Sequence, residues 1–269
     1  MIEPDIRDHR VAVADGLTLH CRDYSSGSSR LPVLCLPGLT RNGRDFHELA
    51  SHLSAERRIL ALDLRGRGLS DYDPDWHRYR LDVYVEDVIA VLDALGVARV
   101  IIIGTSLGGL VGMFFGAQCP ERLAGLVLND IGPELDARGM NRIASSVGKS
   151  GPVDKWEQAE AAAKEAHAAV MPDFTAADWA IFARQVYRER DDGLIARDMD
   201  PQIGMALRDV STPTPDLWHA FQSLRQIPIL TLRGELSDLL TQTTVAYAAV
   251  VSVDECRSRA QPRSCTDAQ

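Results

Sequence analysis

The sequence has no apolar stretch of the length that a bilayer-crossing helix needs. Residues 1–8 hold neither a basic patch nor an apolar run, so no signal peptide is expected, and a cytoplasmic location is. Positive charge is in deficit. With 29 Lys+Arg against 38 Asp+Glu the formal net charge is -9, which argues against nucleic acid and anionic membrane surfaces as partners. Cysteine is scarce and unpatterned. The five residues Cys21, Cys35, Cys119, Cys256 and Cys265 are an odd number without metal-like spacing. Cys35 sits in an apolar run and is expected to be a small core residue. Nothing in the chain calls for a metal or an organic cofactor, and the expected partner is a small-molecule substrate. The sequence leaves the oligomeric state open.

What is present is an ordinary globular composition, 45% apolar and 25% charged, over 269 residues. That length suits one large domain or a core with an inserted subdomain. The chain is organised around Val100-Ile101-Ile102-Ile103-Gly104-Thr105-Ser106-Leu107-Gly108-Gly109-Leu110. Four β-branched residues predict a strand buried on both faces. A Gly-x-Ser-x-Gly pentad follows, and then a packed helix from Leu110. Small residues on either side of Ser106 let strand and helix approach closely, so the serine can take a strained backbone and point its hydroxyl outward.

Around that stretch, apolar strands alternate with amphipathic helices. Val11-Ala12-Val13 and residues 17–21 predict a hairpin turned at Asp15-Gly16. Short strands are predicted at 31–36, 59–63, 123–128 and 227–232, those at 31–36 and 123–128 buried. Asp45 is placed to cap a helix with Glu48 at its third position. His47 and His52 fall off that helix's apolar stripe and are expected in solvent. Val85, Val88, Ile89, Leu92 and Leu95 form a second stripe, ended by Gly96. Residues 71–79 are expected to form an exposed loop. Alternation of this kind predicts a mainly parallel, doubly wound sheet.

Several motifs together resemble the α/β-hydrolase family. Beside the Ser106 pentad, Pro37-Gly38-Leu39 stands where the family often has His-Gly-x. Asp63-Leu64-Arg65-Gly66-Arg67-Gly68-Leu69-Ser70 resembles the family's Asp-x-Arg-Gly-x-Gly-x-Ser loop, with Asp63 and Arg65 as loop-fixing residues. The resemblance covers about residues 10–240. It implies an α/β-hydrolase core in two parts, 1–132 and 216–269, with an inserted helical cap at 133–215. Met171, Phe174, Trp179 and Phe182 are candidates to line the substrate pocket under that cap.

The resemblance also implies roles. Ser106 would be the nucleophile, and the backbone N–H groups of Leu39 and Leu107 would form the oxyanion hole. The acid that orients the base is expected after the 227–232 strand, where Asp238 matches best. Glu235 comes second, and Asp130 occupies a known alternative place. Asn129-Asp130-Ile131-Gly132-Pro133 and the 233–238 stretch resemble bacterial hydrolases of the enol-lactonase and carbon–carbon hydrolase branch. The implied reaction is hydrolysis of an ester, lactone or similar small acyl substrate. A serine at the elbow argues against haloalkane dehalogenases and epoxide hydrolases.

One expected residue is missing. The family order is nucleophile, acid, histidine, yet the histidines stand at 9, 20, 47, 52, 77, 167 and 219, all before Asp238. From about residue 241 the sequence departs from the family pattern, as a replaced or frame-shifted end would. His219 and His77 are the substitutes to consider. Without a base a serine hydroxyl is a weak nucleophile. The alternative reading is therefore a non-catalytic binder of a small ligand on the same fold.

Overall fold

The computed structural model describes residues 5–25, 27–209, 211 and 215–248. The chain opens with the antiparallel hairpin β1 (Asp5–Ala12) and β2 (Thr18–Ser25), whose turn places Gly16 at φ +88°. It continues through β3 (Val33–Leu36), α1 (His47–Leu53), β4 (Ile59–Leu62), α2 (Leu81–Ala94), β5 (Val100–Thr105), α3 (Leu107–Gln118) and β6 (Leu123–Asn129). The insert then holds α4 (Ala137–Ser146), α5 (Trp156–His167), α6 (Ala176–Val186), β7 (Tyr187–Glu189), β8 (Ile195–Arg197) and α7 (Ile203–Arg208), and α8 (Leu217–Ser223) follows it. The chain returns to the sheet at β9 (Ile229–Leu232).

Seven strands pair in the order β1-β2-β4-β3-β5-β6-β9. From β4 to β9 every neighbour is parallel, and β2 joins β4 antiparallel. β3 and β4 are buried along their whole length, as their continuous apolar sequences require. The register sets Cys35 beside Ile103 and Leu36 beside Gly104, so the loop after β3 and the turn after β5 leave the sheet side by side. This is the crevice at the carboxyl ends of the strands where open α/β sheets bind ligands. Cys21 and Cys35 are buried and free, and Gly96 ends α2 at φ +67°.

Three local expectations differ from the structure. The helix at 47 is not capped by Asp45: Asn42 caps a preceding 3₁₀ turn over Gly43–Phe46, and Asp45 instead pairs with Arg41 at 2.5 Å. The insert is not all helical, since β7 and β8 form an antiparallel hairpin. Strands of three residues are too short for their alternation to be read. Residues 71–79 are not simply exposed. Asp73 and Tyr79 are buried because Arg65 and Asp200 draw them inward.

Residues 242–248 are helical, with Thr244 and Ala248 buried. The remainder of the unusual C-terminal stretch, with Cys256 and Cys265, lies outside the described residues. Among the described residues no helix is long and apolar enough to cross a membrane, and no group of His, Cys, Asp or Glu is arranged to hold a metal ion.

Candidate active site

Ser106 joins β5 to α3 with φ 51° and ψ -115°, a backbone that non-glycine residues rarely adopt. The glycines around it are required by close approach. A Cβ on Gly104 would lie 2.4 Å from the carbonyl carbon of Gly108, and one on Gly108 would lie 2.1 Å from the Leu36 carbonyl oxygen. The Ser106 N–H donates to the Asn129 carbonyl at 3.0 Å, which ties the turn to the end of β6.

The loop after β3 runs against this turn. A Cβ built on Gly38 would sit 3.7 Å from Ser106 Cβ. Leu107 lies in the first turn of α3, where N–H groups have no intrahelical partner. Among the described residues neither the Leu39 nor the Leu107 N–H donates a hydrogen bond. The carbonyl of Leu39 is held by Arg67 Nε at 2.8 Å. Arg67 is fully buried, and its Nη1 donates to the Arg65 carbonyl at 2.6 Å and to the Tyr84 hydroxyl at 3.0 Å. The sequence reading missed this residue. It stands in a recognised loop, but only the fold shows that it reaches Leu39.

The other two loop residues act as expected. Asp63 accepts from the N–H groups of Gly43 at 2.6 Å and Leu69 at 3.0 Å and pairs with His20 at 2.8 Å. Arg65 grips Asp87 through two hydrogen bonds of 2.7 and 2.6 Å and reaches Asp73 at 2.7 Å and Asp15 at 2.8 Å. Burial pushes the Asp87 carboxyl above its usual range, against the pull of Arg65.

Leu39 and Leu107 both line a cavity of about 480 Å³ between sheet and insert. Leu110 and Phe114 of α3 continue one wall, while Leu135, Met140 and α7 supply the other. Met171, Phe174, Trp179 and Phe182 do not line it. They pack on one another and on α5 in a cluster of their own inside the insert, with Trp179 and Phe182 edge-to-face at 5.8 Å. A smaller cavity of about 160 Å³, beside His20, Asp63 and Asp198, contains none of the elbow residues.

Asp238 follows β9 and is clasped by Arg142 of α4 through hydrogen bonds of 2.6 and 2.7 Å. That guanidinium holds its carboxyl below the usual range. Nothing in the sequence marks Arg142, because the pair spans 96 positions. Asp130 follows β6 directly, has φ 55°, and accepts from the Gly234 N–H at 3.1 Å. Glu235 is exposed.

Among the described residues no side chain hydrogen-bonds the Ser106 hydroxyl, histidines included. His77 is exposed at the cavity's rim, 2.7 Å from Asp75 and stacked on Trp76. His219 is exposed on α8, where only its backbone N–H is engaged, by Asp216. His167 lies within the aromatic cluster of the insert.

Comparison with known proteins agrees with this architecture. The family described as the alpha/beta hydrolase fold matches residues 32–189. The chain is 33% identical over 223 residues to the 3-hydroxybutyrate-oligomer hydrolase of Cupriavidus necator, covering 80% of this chain and 75% of that protein. It is 26% identical over 239 residues to the 2-(acetamidomethylene)succinate hydrolase of Mesorhizobium japonicum, covering 88% of this chain and 81% of that one. The crystal structure of an alpha/beta hydrolase from Novosphingobium aromaticivorans superposes with a TM-score of 0.86 at 41% identity, covering 92% of this chain and 87% of that one. The chain belongs to the α/β hydrolase fold family.

Proposed function

We propose that this protein is a serine hydrolase of an ester, lactone or similar small acyl substrate. Ser106 is the nucleophile in this reading, and the N–H groups of Leu39 and Leu107 receive the oxyanion. The observation that carries it is the strained backbone of Ser106 next to Leu107 and the loop of Leu39, two residues with unspent N–H groups that both line one cavity. The name of the Cupriavidus necator relative supports an ester-type substrate.

Asp238 holds the place of the orienting acid. Its rival is Asp130, for a specific reason. Arg142 already occupies the Asp238 carboxylate, while Asp130 adjoins the residue whose carbonyl receives the Ser106 N–H. The acid acts only through a base, so Asp238→Asn and Asp130→Asn are assayed side by side with added imidazole, where loss of the true acid lowers the imidazole-dependent turnover more than loss of the other.

Among the described residues no histidine hydrogen-bonds Ser106, and His219 is the last histidine of the 269 residues. Turnover by this chain is therefore expected to be slow, with an unassisted Ser106 hydroxyl attacking the acyl carbon beside the oxyanion-hole amides. The test is hydrolysis of p-nitrophenyl acetate by the chain and by Ser106→Ala. Slow turnover that Ser106→Ala abolishes supports the reading. Equal rates for both chains would refute it and favour the second reading, a small-ligand binder without turnover. Ordinary enzymatic rates would mean that another base serves, and His219→Ala and His77→Ala are the variants to test next.

A further inference from the structure

The 480 Å³ cavity has one wall of unusual regularity. Leu107, Leu110 and Phe114 stand on one face of α3, at spacings of three and four residues, and all three line it. From Leu107 to Phe114 the helix advances about 10 Å. An extended alkyl chain gains about 1.25 Å per bond, so this wall matches about eight carbon–carbon bonds. Across from it stand Met140, Ile203, Ala206 and Leu207, again apolar.

Several of the polar side chains around the cavity already have partners. The Tyr79 hydroxyl donates to Asp200 at 2.6 Å, and the Tyr84 hydroxyl accepts from Arg67. Arg80 is bound by Asp82 through hydrogen bonds of 2.6 and 2.5 Å, and His77 by Asp75. Asp209 accepts from both the N–H and the hydroxyl of Ser211. The stretch lined by α3, Met140 and α7 is apolar and offers a ligand no side chain to hydrogen-bond. A hydroxylated or charged chain would lose its water there without replacement, and an alkyl chain loses nothing.

We propose that this cavity is an acyl channel for an unbranched, medium-length chain of about eight carbons, running along α3 from Leu107 to Phe114. The proposal rests on the Ser106 reading for the position of the ester carbonyl. The channel itself can be read without turnover.

The test is calorimetric titration of the Ser106→Ala chain with butanoate, hexanoate, octanoate, decanoate and dodecanoate. Affinity is expected to rise about fourfold per methylene through octanoate. It should level off beyond decanoate. Leu110→Trp blocks the channel from α3 and Ala206→Trp from the facing wall. Each is expected to level off at butanoate while keeping its thermal transition, and Leu110→Phe is the milder block should either fail to fold. A flat series in the unblocked chain overturns the channel, whatever the ester assay gives. So does gluconate binding as tightly as hexanoate, or a gain undiminished in all three blocked variants. A rising series in a chain with no Ser106-dependent hydrolysis leaves the channel standing and refutes the serine reading alone.

Discussion

At the elbow, backbone meets backbone; in the aromatic cluster of the insert, side chain meets side chain. The Cβ that Gly108 lacks would fall 2.1 Å from a carbonyl oxygen of β3, a group that cannot move without shifting the sheet. In the insert, Phe182 touches Trp179, Phe174 and His167 through rings 5.2 to 6.1 Å apart, and the Arg41 guanidinium lies over it at 4.3 Å. Several apolar residues of similar volume can satisfy contacts of the second kind, and only glycine satisfies those of the first. The two regions should therefore answer mutation differently, and the sharpest contrasts come where burial is most complete.

The largest effect is expected at Arg65. It is 2% exposed and is shared by Asp87, Asp73 and Asp15. Arg65→Met keeps the volume but leaves buried carboxylates without their cation, at a cost of about 3–5 kcal/mol. A urea midpoint within error of the parent would show that this cluster does not anchor the loop. Next comes Gly108→Ala, which forces strand and helix apart and is expected to cost about 3 kcal/mol. Its control is Gly151→Ala in the insert, where a Cβ would meet nothing within 4 Å. That change should leave the midpoint where it was. Equal losses at both positions would mean that the close approach at the elbow is not what constrains it.

The same distinction governs what could be read without the fold. The elbow, the Asp63–Arg65 loop and the parallel strands of the sheet were legible because their constraints are local. A glycine forced by a neighbouring backbone leaves a fixed spacing, and a strand buried on both faces leaves an apolar run. The cavity wall was not legible from the insert. Trp179 and Phe182 draw attention by size, but they fill their own cluster, and the lining comes from smaller residues such as Ala206 and Leu207. Arg67 and Arg142 carry no local signal, since what they hold lies 28 and 96 positions away. The Asp45 cap failed for a subtler reason. Asn42, three residues earlier, offers the same side-chain chemistry and starts a 3₁₀ turn first.

A smaller effect is expected within the insert. Phe182→Leu keeps most of the buried volume and loses edge-to-face ring contacts, at about 1 kcal/mol. Hydrogen exchange should register it in the amides of α5 and α6, with those of β3, β5 and β6 unchanged. Uniform loss of protection across the sheet would mean that insert and core open as one unit, and the contrast between the two regions would then be one of packing alone.

The smallest effect is a pH dependence belonging to the insert. His167 packs edge-on to Phe182 at 5.2 Å, and its pKa is pushed down to about 4. Burial is the main cause, and the nearby guanidiniums of Arg197, Arg41 and Arg142 add to it. The imidazole is neutral in the folded chain at pH 7, while in the unfolded chain it takes up a proton near pH 6.5. Between those values the unfolded state binds more protons, so stability rises with pH there. The contribution is whole above pH 6.5 and is lost as pH falls toward about 4. The site is partly open to solvent, which reduces its worth to the order of 1 kcal/mol. His167→Phe removes the titrating group, although the added ring volume shifts the whole curve. The informative quantity is therefore the difference in unfolding free energy between parent and variant, measured at pH 7.5, 5.5 and 4.5. That difference should change in the variant's favour as pH falls. Curves that stay parallel from pH 7.5 to 4.5 would mean that His167 is as free to protonate in the folded insert as in the unfolded chain, and that the aromatic cluster around it does not exclude water.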